Sequence, residues 1–337
     1  MWLIKIKRKL ILSLLLLALT IITATSTTYA WFSKNRNAWV DDFELQIENV
    51  EGMLISVDGK NFSSSISNEE LIKAIVAKNK GISISDVDMN TLKDDFTKIH
   101  LSSVTTKDLV SFNTIDQSNV LDGYYGLKEA SKDSYLEFDL YFRIVSNIGQ
   151  TTKDIQYLSI ASDSVITSEA KAVNLVNSLN AAGFNYTSGD SIAVNPANAV
   201  RLGVKVHENE KAIIYEPNLG LGSYAIEGYD DETKEDYNIK YDPTKNAMLT
   251  YFNNMNEVKL APLSNEDSEI YTNAKTFEDN TVISTFVANS EKTSYNDIKI
   301  TVSIWLEGYD ADYFVGVSVK NIKVYLNFEK QEEVTHE

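Results

Sequence analysis

The sequence predicts a mainly β protein: a β-sandwich of jelly-roll or Greek-key type with a few short inserted helices, preceded by an N-terminal signal helix. Three observations predict it. Apolar and polar residues alternate with a period of two in several separate runs. The 337 residues include 18 Tyr and 13 Phe, flat side chains that suit a pleated face. Strand-like runs occur at both ends of the chain, and this implies pairing between distant segments, as in sandwiches.

The strands are legible one by one. Leu136, Phe138, Leu140, Phe142 and Ile144 alternate with Glu137, Asp139, Tyr141 and Arg143, as in a strand with one buried and one wet face. Val200, Leu202, Val204 and Val206 alternate with Arg201, Gly203 and Lys205, and Ile298, Ile300, Val302, Ile304 and Leu306 with Lys299, Thr301, Ser303 and Trp305. Val315, Val317 and Val319 lead into Ile322, Val324, Leu326 and Phe328. The change of parity near Lys320-Asn321 marks a bulge or bend. Phe43, Leu45 and Ile47 alternate near the start, and Met53 to Val57 runs into Asp58-Gly59, a hairpin-turn signal.

Helical signals are fewer. Ser67-Asn68-Glu69-Glu70 opens a run from Leu71 to Ala77 that Gly81 closes, with an N-cap candidate and acids in the first turn. Glu169 to Ala182 places Ala172, Val173, Leu175, Val176 and Leu179 at helical spacing before Gly183, and Thr91 to Ile99 predicts a third short helix. The connection from Gly220 to Asn280 is polar and acidic. Loops of that length are usually functional or mobile.

Residues 1–30 read as a secretory signal. Lys5, Lys7, Arg8 and Lys9 precede an apolar run from Leu10 to Ala24, and Thr28 and Ala30 fit the −3 and −1 places of a signal-peptidase site. The apolar run of about fifteen residues is short for a bilayer span of about 20, so cleavage after Ala30 is the first expectation and an uncleaved anchor the second. The expected organisation is therefore residues 1–30 as signal and 31–337 as one elaborated sandwich domain, with the membrane touched only through the N-terminal segment.

The formal charge is −17, and residues 1–30 carry four of its cations and no acid. A chain this acidic repels phosphate backbones, which argues against nucleic acid as a partner. The absence of cysteine excludes disulfides, thiolate catalysis and cysteine-ligated metal. A cysteine-free exported chain of this size fits the surface of a Gram-positive bacterium.

Candidate chemistry is sparse. His100, His207 and His336 are the only histidines, and none is close enough to another for a metal motif. No Gly-x-Ser-x-Gly elbow or glycine-rich phosphate loop is present. The carboxylates Glu307, Asp310 and Asp312 lie among Trp305, Tyr309 and Tyr313. They read first as a turn, second as an oxygen-ligand site for calcium, and third as a sugar-cleaving pair. No other cofactor is implied. Tyr124, Tyr125 and Tyr141 offer aromatic surface, and ordinary strand packing explains them first.

The junction Thr28-Tyr29-Ala30-Trp31-Phe32, with the strand-like Phe43 to Val57 beyond it, resembles the TasA/camelysin family. The likeness covers about the first 35 residues. It implies a jelly-roll sandwich, processing by a dedicated signal peptidase, secretion, and assembly into matrix fibres of biofilms. In such fibres an N-terminal strand completes the sheet of the next subunit. The donor strand implied here is Trp31 to Ile47, with Trp31, Phe32, Trp39, Phe43, Leu45 and Ile47 as its apolar and aromatic residues. The expectation is thus a non-enzymatic, secreted or cell-surface structural protein whose partners are copies of itself, other surface proteins and a signal peptidase. A glycan- or protein-binding adhesin module is the alternative, and a wall-active hydrolase using Glu307 the third.

Overall fold

The computed structural model describes residues 43–49, 52–106, 108–145, 154–174, 179–181, 184–187, 189–218, 224–226, 239–241, 259–260, 274–291, 293–308, 310 and 322–331. The described part opens with β1 (Phe43–Asn49), β2 (Met53–Ser56) and the two-residue β3 (Ser65–Ile66). Helices α1 (Asn68–Lys80) and α2 (Leu92–Phe96) follow. Then come β4 (Ser103–Thr106), β5 (Phe112–Leu121), β6 (Tyr124–Glu129) and β7 (Leu136–Ile144). Next are β8 (Ile155–Ile160), β9 (Val165–Thr167), β10 (Lys171–Asn174), β11 (Leu179–Ala181), β12 (Phe184–Tyr186) and β13 (Ser191–Val194). Beyond them lie β14 (Val200–Val206), β15 (Ala212–Tyr215), β16 (Tyr224–Ile226), β17 (Ile239–Tyr241) and β18 (Lys259–Leu260). The last three are β19 (Val282–Val287), β20 (Ile298–Glu307) and β21 (Ile322–Gln331).

Two large sheets make the expected mainly-β sandwich. In one, the strand order is β19-β8-β21-β1-β3, with β9 also paired to β21. In the other, β20 is the central strand: β14 and then β15 extend it on one side, and β7 and then β2 on the other. Past the start of β7, β20 also pairs with β4 in parallel, and β4 leads into the β5-β6 hairpin. Inward residues of β7, β14 and β20 meet those of β8, β19 and β21 in one apolar core, where the Phe142 and Phe328 rings lie 4.8 Å apart across the sandwich. Replacing either ring by alanine removes about 3–5 kcal/mol.

Local rules account for β7 and α1. Strand β7 buries Leu136, Phe138, Leu140, Phe142 and Ile144 and leaves the alternate residues partly or fully exposed, as its period of two requires. Helix α1 starts at a reciprocal capping box: the Ser67 hydroxyl accepts from the Glu70 amide, and the Glu70 carboxylate accepts from the Ser67 amide at 2.9 Å. It ends where Gly81 takes φ +65° and its N–H reaches back to Ala77 and Lys78. A left-handed residue there is the usual glycine stop. Leu71, Ala74, Ile75, Val76 and Ala77 are buried.

Four expectations change in the structure. Within the segment Glu169 to Ala182, residues 171–174 and 179–181 are strand and not helix: β10 pairs antiparallel with β13, and β11 with β12. Partners within about twenty residues supply the backbone hydrogen bonds, and β-branched Val173 with Asn174 and Asn180 gives the helix little in return. Ser168, where a helix cap would stand, instead contacts the Asn195 side chain at 2.5 Å and accepts from the Ala197 amide at 3.0 Å. The turn at Asp58-Gly59 does not close a two-strand hairpin. Strand β2 pairs with β7, and the returning chain touches it through the single bridge Ile55–Ser63. Helix α2 has five residues, shorter than Thr91 to Ile99. The connection from Gly220 to Asn280 carries the pair β16–β17 and the short β18. The Val315 to Val319 run and the bend at Lys320-Asn321 lie outside the described residues.

Candidate functional site

Strand β14 is buried on both faces. Val200, Leu202, Val204 and Val206 point into the main core, and Arg201 and Gly203 point to the opposite side. That side is covered by a second apolar cluster of Val104, Leu109, Phe112, Ala130, Ile214 and Trp305. The cover depends on two local features. Gly203 has no side chain, and the Leu109 methyls and Trp305 indole occupy the space where a Cβ would stand, the indole at 3.1 Å from it. Leu109 takes φ +54° at a turn in which Asp108 Oδ1 accepts from the amides of Val110 at 2.8 Å and Ser111 at 2.7 Å.

Arg201 lies under this cover with 2 % of its surface exposed. Its Nη2 donates to Glu216 Oε1 and to Asp310 Oδ2, both at 2.7 Å, and its Nη1 donates to the carbonyls of Asn198 at 2.8 Å and Val200 at 3.3 Å. Burial by itself would release the proton. The carboxylates of Glu216, Asp310 and Glu307 outweigh it and raise the guanidinium above its already high range. Glu307 accepts from Trp305 Nε1 at 3.1 Å. The cluster joins the start of β14, the residue after β15 and the turn after β20.

The carboxylates singled out in the sequence therefore have definite places. Glu307 and Asp310 are buried, at 1 % and 0 % exposure, around a guanidinium. Asp310 is hydrogen-bonded to it, and Glu307 acts on it through its charge. In this arrangement neither carboxylate faces an open cleft. Asp312 lies outside the described residues. Among the described residues no group of three or more His, Asp or Glu side chains is arranged to hold a metal ion. His207 is exposed, its Nε2 is 2.7 Å from Thr301 Oγ1, and burial of the ring nitrogens followed by the Lys299 charge lowers its proton affinity. Tyr124 is 38 % exposed at the β5-β6 turn, and Tyr125 and Tyr141 are half-buried.

The second site read from the sequence is the first strand. Its backbone runs parallel to β21, with Phe43, Leu45 and Ile47 opposite Ile322, Val324 and Leu326. On its other side only Ile47 and Glu48 pair with β3. Thr28, Ala30, Trp31, Phe32 and Trp39 lie outside the described residues. Among those described, no helix is long and apolar enough to cross a membrane.

The sequence reading missed Arg201 and Glu216. The available signal was an arginine at the start of a largely apolar strand, flanked by Val200 and Leu202. A charge in that setting asks for buried partners. Comparison with protein-family models, with curated proteins and with solved structures gives no match for this chain.

Proposed function

We propose that the chain is a non-enzymatic, exported structural protein of a cell surface or extracellular matrix, and that copies of it join by β-augmentation with the first strand as donor. The observation that carries this reading is the placement of β1. It is the first described strand beyond the segment read as signal, and it fills a sheet position between β21 at the far end of the chain and the two-residue β3. A strand held mainly by one seven-residue ladder to a distant partner can be exchanged for the same strand of a neighbour without loss of any backbone hydrogen bond. The buried Arg201 cluster supports a structural role for the 305–310 segment, because its charges are engaged with one another.

A pair of engineered cysteines tests the exchange, since the chain has none of its own. Leu45→Cys with Val324→Cys places the two cysteines at matched positions of β1 and β21. In a strand-exchanged fibre the disulfide links subunits, and a covalent ladder appears on non-reducing gels of assembled material. Disulfides that form only within a single chain, in material that electron microscopy shows to be filamentous, would refute β1 as the donor. Absence of filaments at any concentration, with a native N-terminus at residue 31, would refute the fibre reading itself.

A further inference from the structure

A polar cavity of about 460 Å3 opens between α1 and the outer face of β7, away from the Arg201 cluster. Its size falls in the range of small-molecule sites. Helix α1 contributes Lys73 and Lys78, the loop after β2 contributes Asp58 and Lys60, and Asp139 and Tyr141 of β7 form the floor.

The charges do not cancel. Asp58 is engaged by its own loop: Oδ1 accepts from the Ser56 hydroxyl and from the amides of Lys60 and Asn61, each at 2.8 Å, and Oδ2 accepts from Asn61 Nδ2 at 2.7 Å. Asp139 is matched twice, by Lys78 at 2.7 Å and Lys299 at 2.9 Å, and it also accepts from the Thr301 hydroxyl. Lys60 and Lys73 remain, and neither forms an ion pair among the described residues. With Lys60, Lys73 and Lys78 against the carboxylates of Asp58 and Asp139, the lining keeps a small net positive charge in a chain whose formal charge is −17. The Ser83 and Ser85 hydroxyls, 3.1 Å apart, add neutral hydrogen-bonding groups beside the two lysines. Gly59 closes one face of the Tyr141 ring, where a Cβ would stand 3.0 Å from the ring carbons, so ring stacking is not the main means of holding a ligand.

We propose that this cavity binds a small hydroxylated molecule carrying a phosphate or carboxylate group, with Lys60 and Lys73 meeting the anionic group and Ser83 and Ser85 the hydroxyls. The inference is independent of the assembly reading. A solvated role for both lysines, with their ammonium groups turned to water, is the plain alternative. Titration calorimetry of the exported chain with glycerol 3-phosphate, glucuronate and inorganic phosphate, with glucose as the uncharged control, separates the two. Binding of a charged probe is expected, weakening with salt and falling about tenfold or more in Lys60→Gln/Lys73→Gln. Preference for glycerol 3-phosphate or for glucuronate then tells which anionic group the site takes. Among the described residues neither lysine is ion-paired, so the variant is expected to melt with the wild type. If it does not, Ser85→Ala takes its place and is expected to weaken the same probe. No binding of any charged probe at about 10 mM, well above the millimolar Kd of the weakest useful site, would overturn the proposal. So would equal affinity in the variants, or binding of glucose as tight as that of the anions.

Discussion

Replacing Arg201 by methionine keeps much of the side-chain length and removes the charge. In the native cluster the guanidinium makes two hydrogen bonds of 2.7 Å to carboxylates and two to backbone carbonyls. Hydrogen bonds to charged groups contribute about 1.5–3 kcal/mol each, so the two carboxylate bonds alone represent about 3–6 kcal/mol. Part of this is offset, because methionine no longer requires a guanidinium to be desolvated. Asp310 and Glu216, at 0 % and 3 % exposure, would then be buried without their cation. The expected loss is about 3–5 kcal/mol, the range for breaking a buried pair on one side. Urea unfolding followed by tryptophan fluorescence measures it directly, since the Trp305 indole donates to Glu307 in the same cluster. Arg201→Lys is expected to recover only part of the loss, because one ammonium cannot reproduce the planar fork that reaches both acids. A double-mutant cycle with Glu216→Gln should give a coupling of at least about 1 kcal/mol. A loss below about 1 kcal/mol for Arg201→Met, with the slope of the transition unchanged, would refute the view that these bonds hold β14, β15 and the 307–310 turn together.

Gly203→Ala adds a Cβ against Leu109 and Trp305, and the overpacking is expected to cost about 1–3 kcal/mol in the same assay; an unchanged midpoint would mean that the second cluster yields easily. Asp139 gives a pH signature. Burial alone would raise its proton affinity, but hydrogen bonds from Lys78, Thr301 and Lys299 outweigh this and lower it. Its stabilisation is therefore present above its ordinary range near 3.8 and lost as pH falls through the lower folded value. Asp139→Asn is expected to be less stable than the wild type by about 1–2 kcal/mol at pH 7, with the gap closing below about pH 4; a gap that persists to low pH would show that the charge is not its source.

The features legible in the sequence are those whose causes lie within a few residues. The apolar positions of β7 can be read directly because a strand turns its side chains over every two residues. The limits of α1 follow from Ser67, Glu70 and Gly81, whose capping bonds span three or four residues. The mainly-β class follows from the same periodicity repeated along the chain.

Other features depended on partners that no local pattern names. The spacing of Ala172, Val173, Leu175, Val176 and Leu179 satisfies a helix equally well, and at 171–174 and 179–181 the ladders with β13 and β12 decided for strands. The alternation in β14 and β20 implied one wet face each, but β4 and the turn at Leu109, about ninety residues before β14, cover that face. Glu307 and Asp310 read as an acidic turn until Arg201, 109 positions before Asp310, was found between Asp310 and Glu216. By itself the sequence determined the class of fold and the self-contained helix, because short-range sterics and hydrogen bonds set them. Tertiary structure alone decided which faces are buried and which charges meet, because burial and ion pairing depend on distance in space, and in a sandwich with non-local pairing distance in space is nearly independent of distance along the chain.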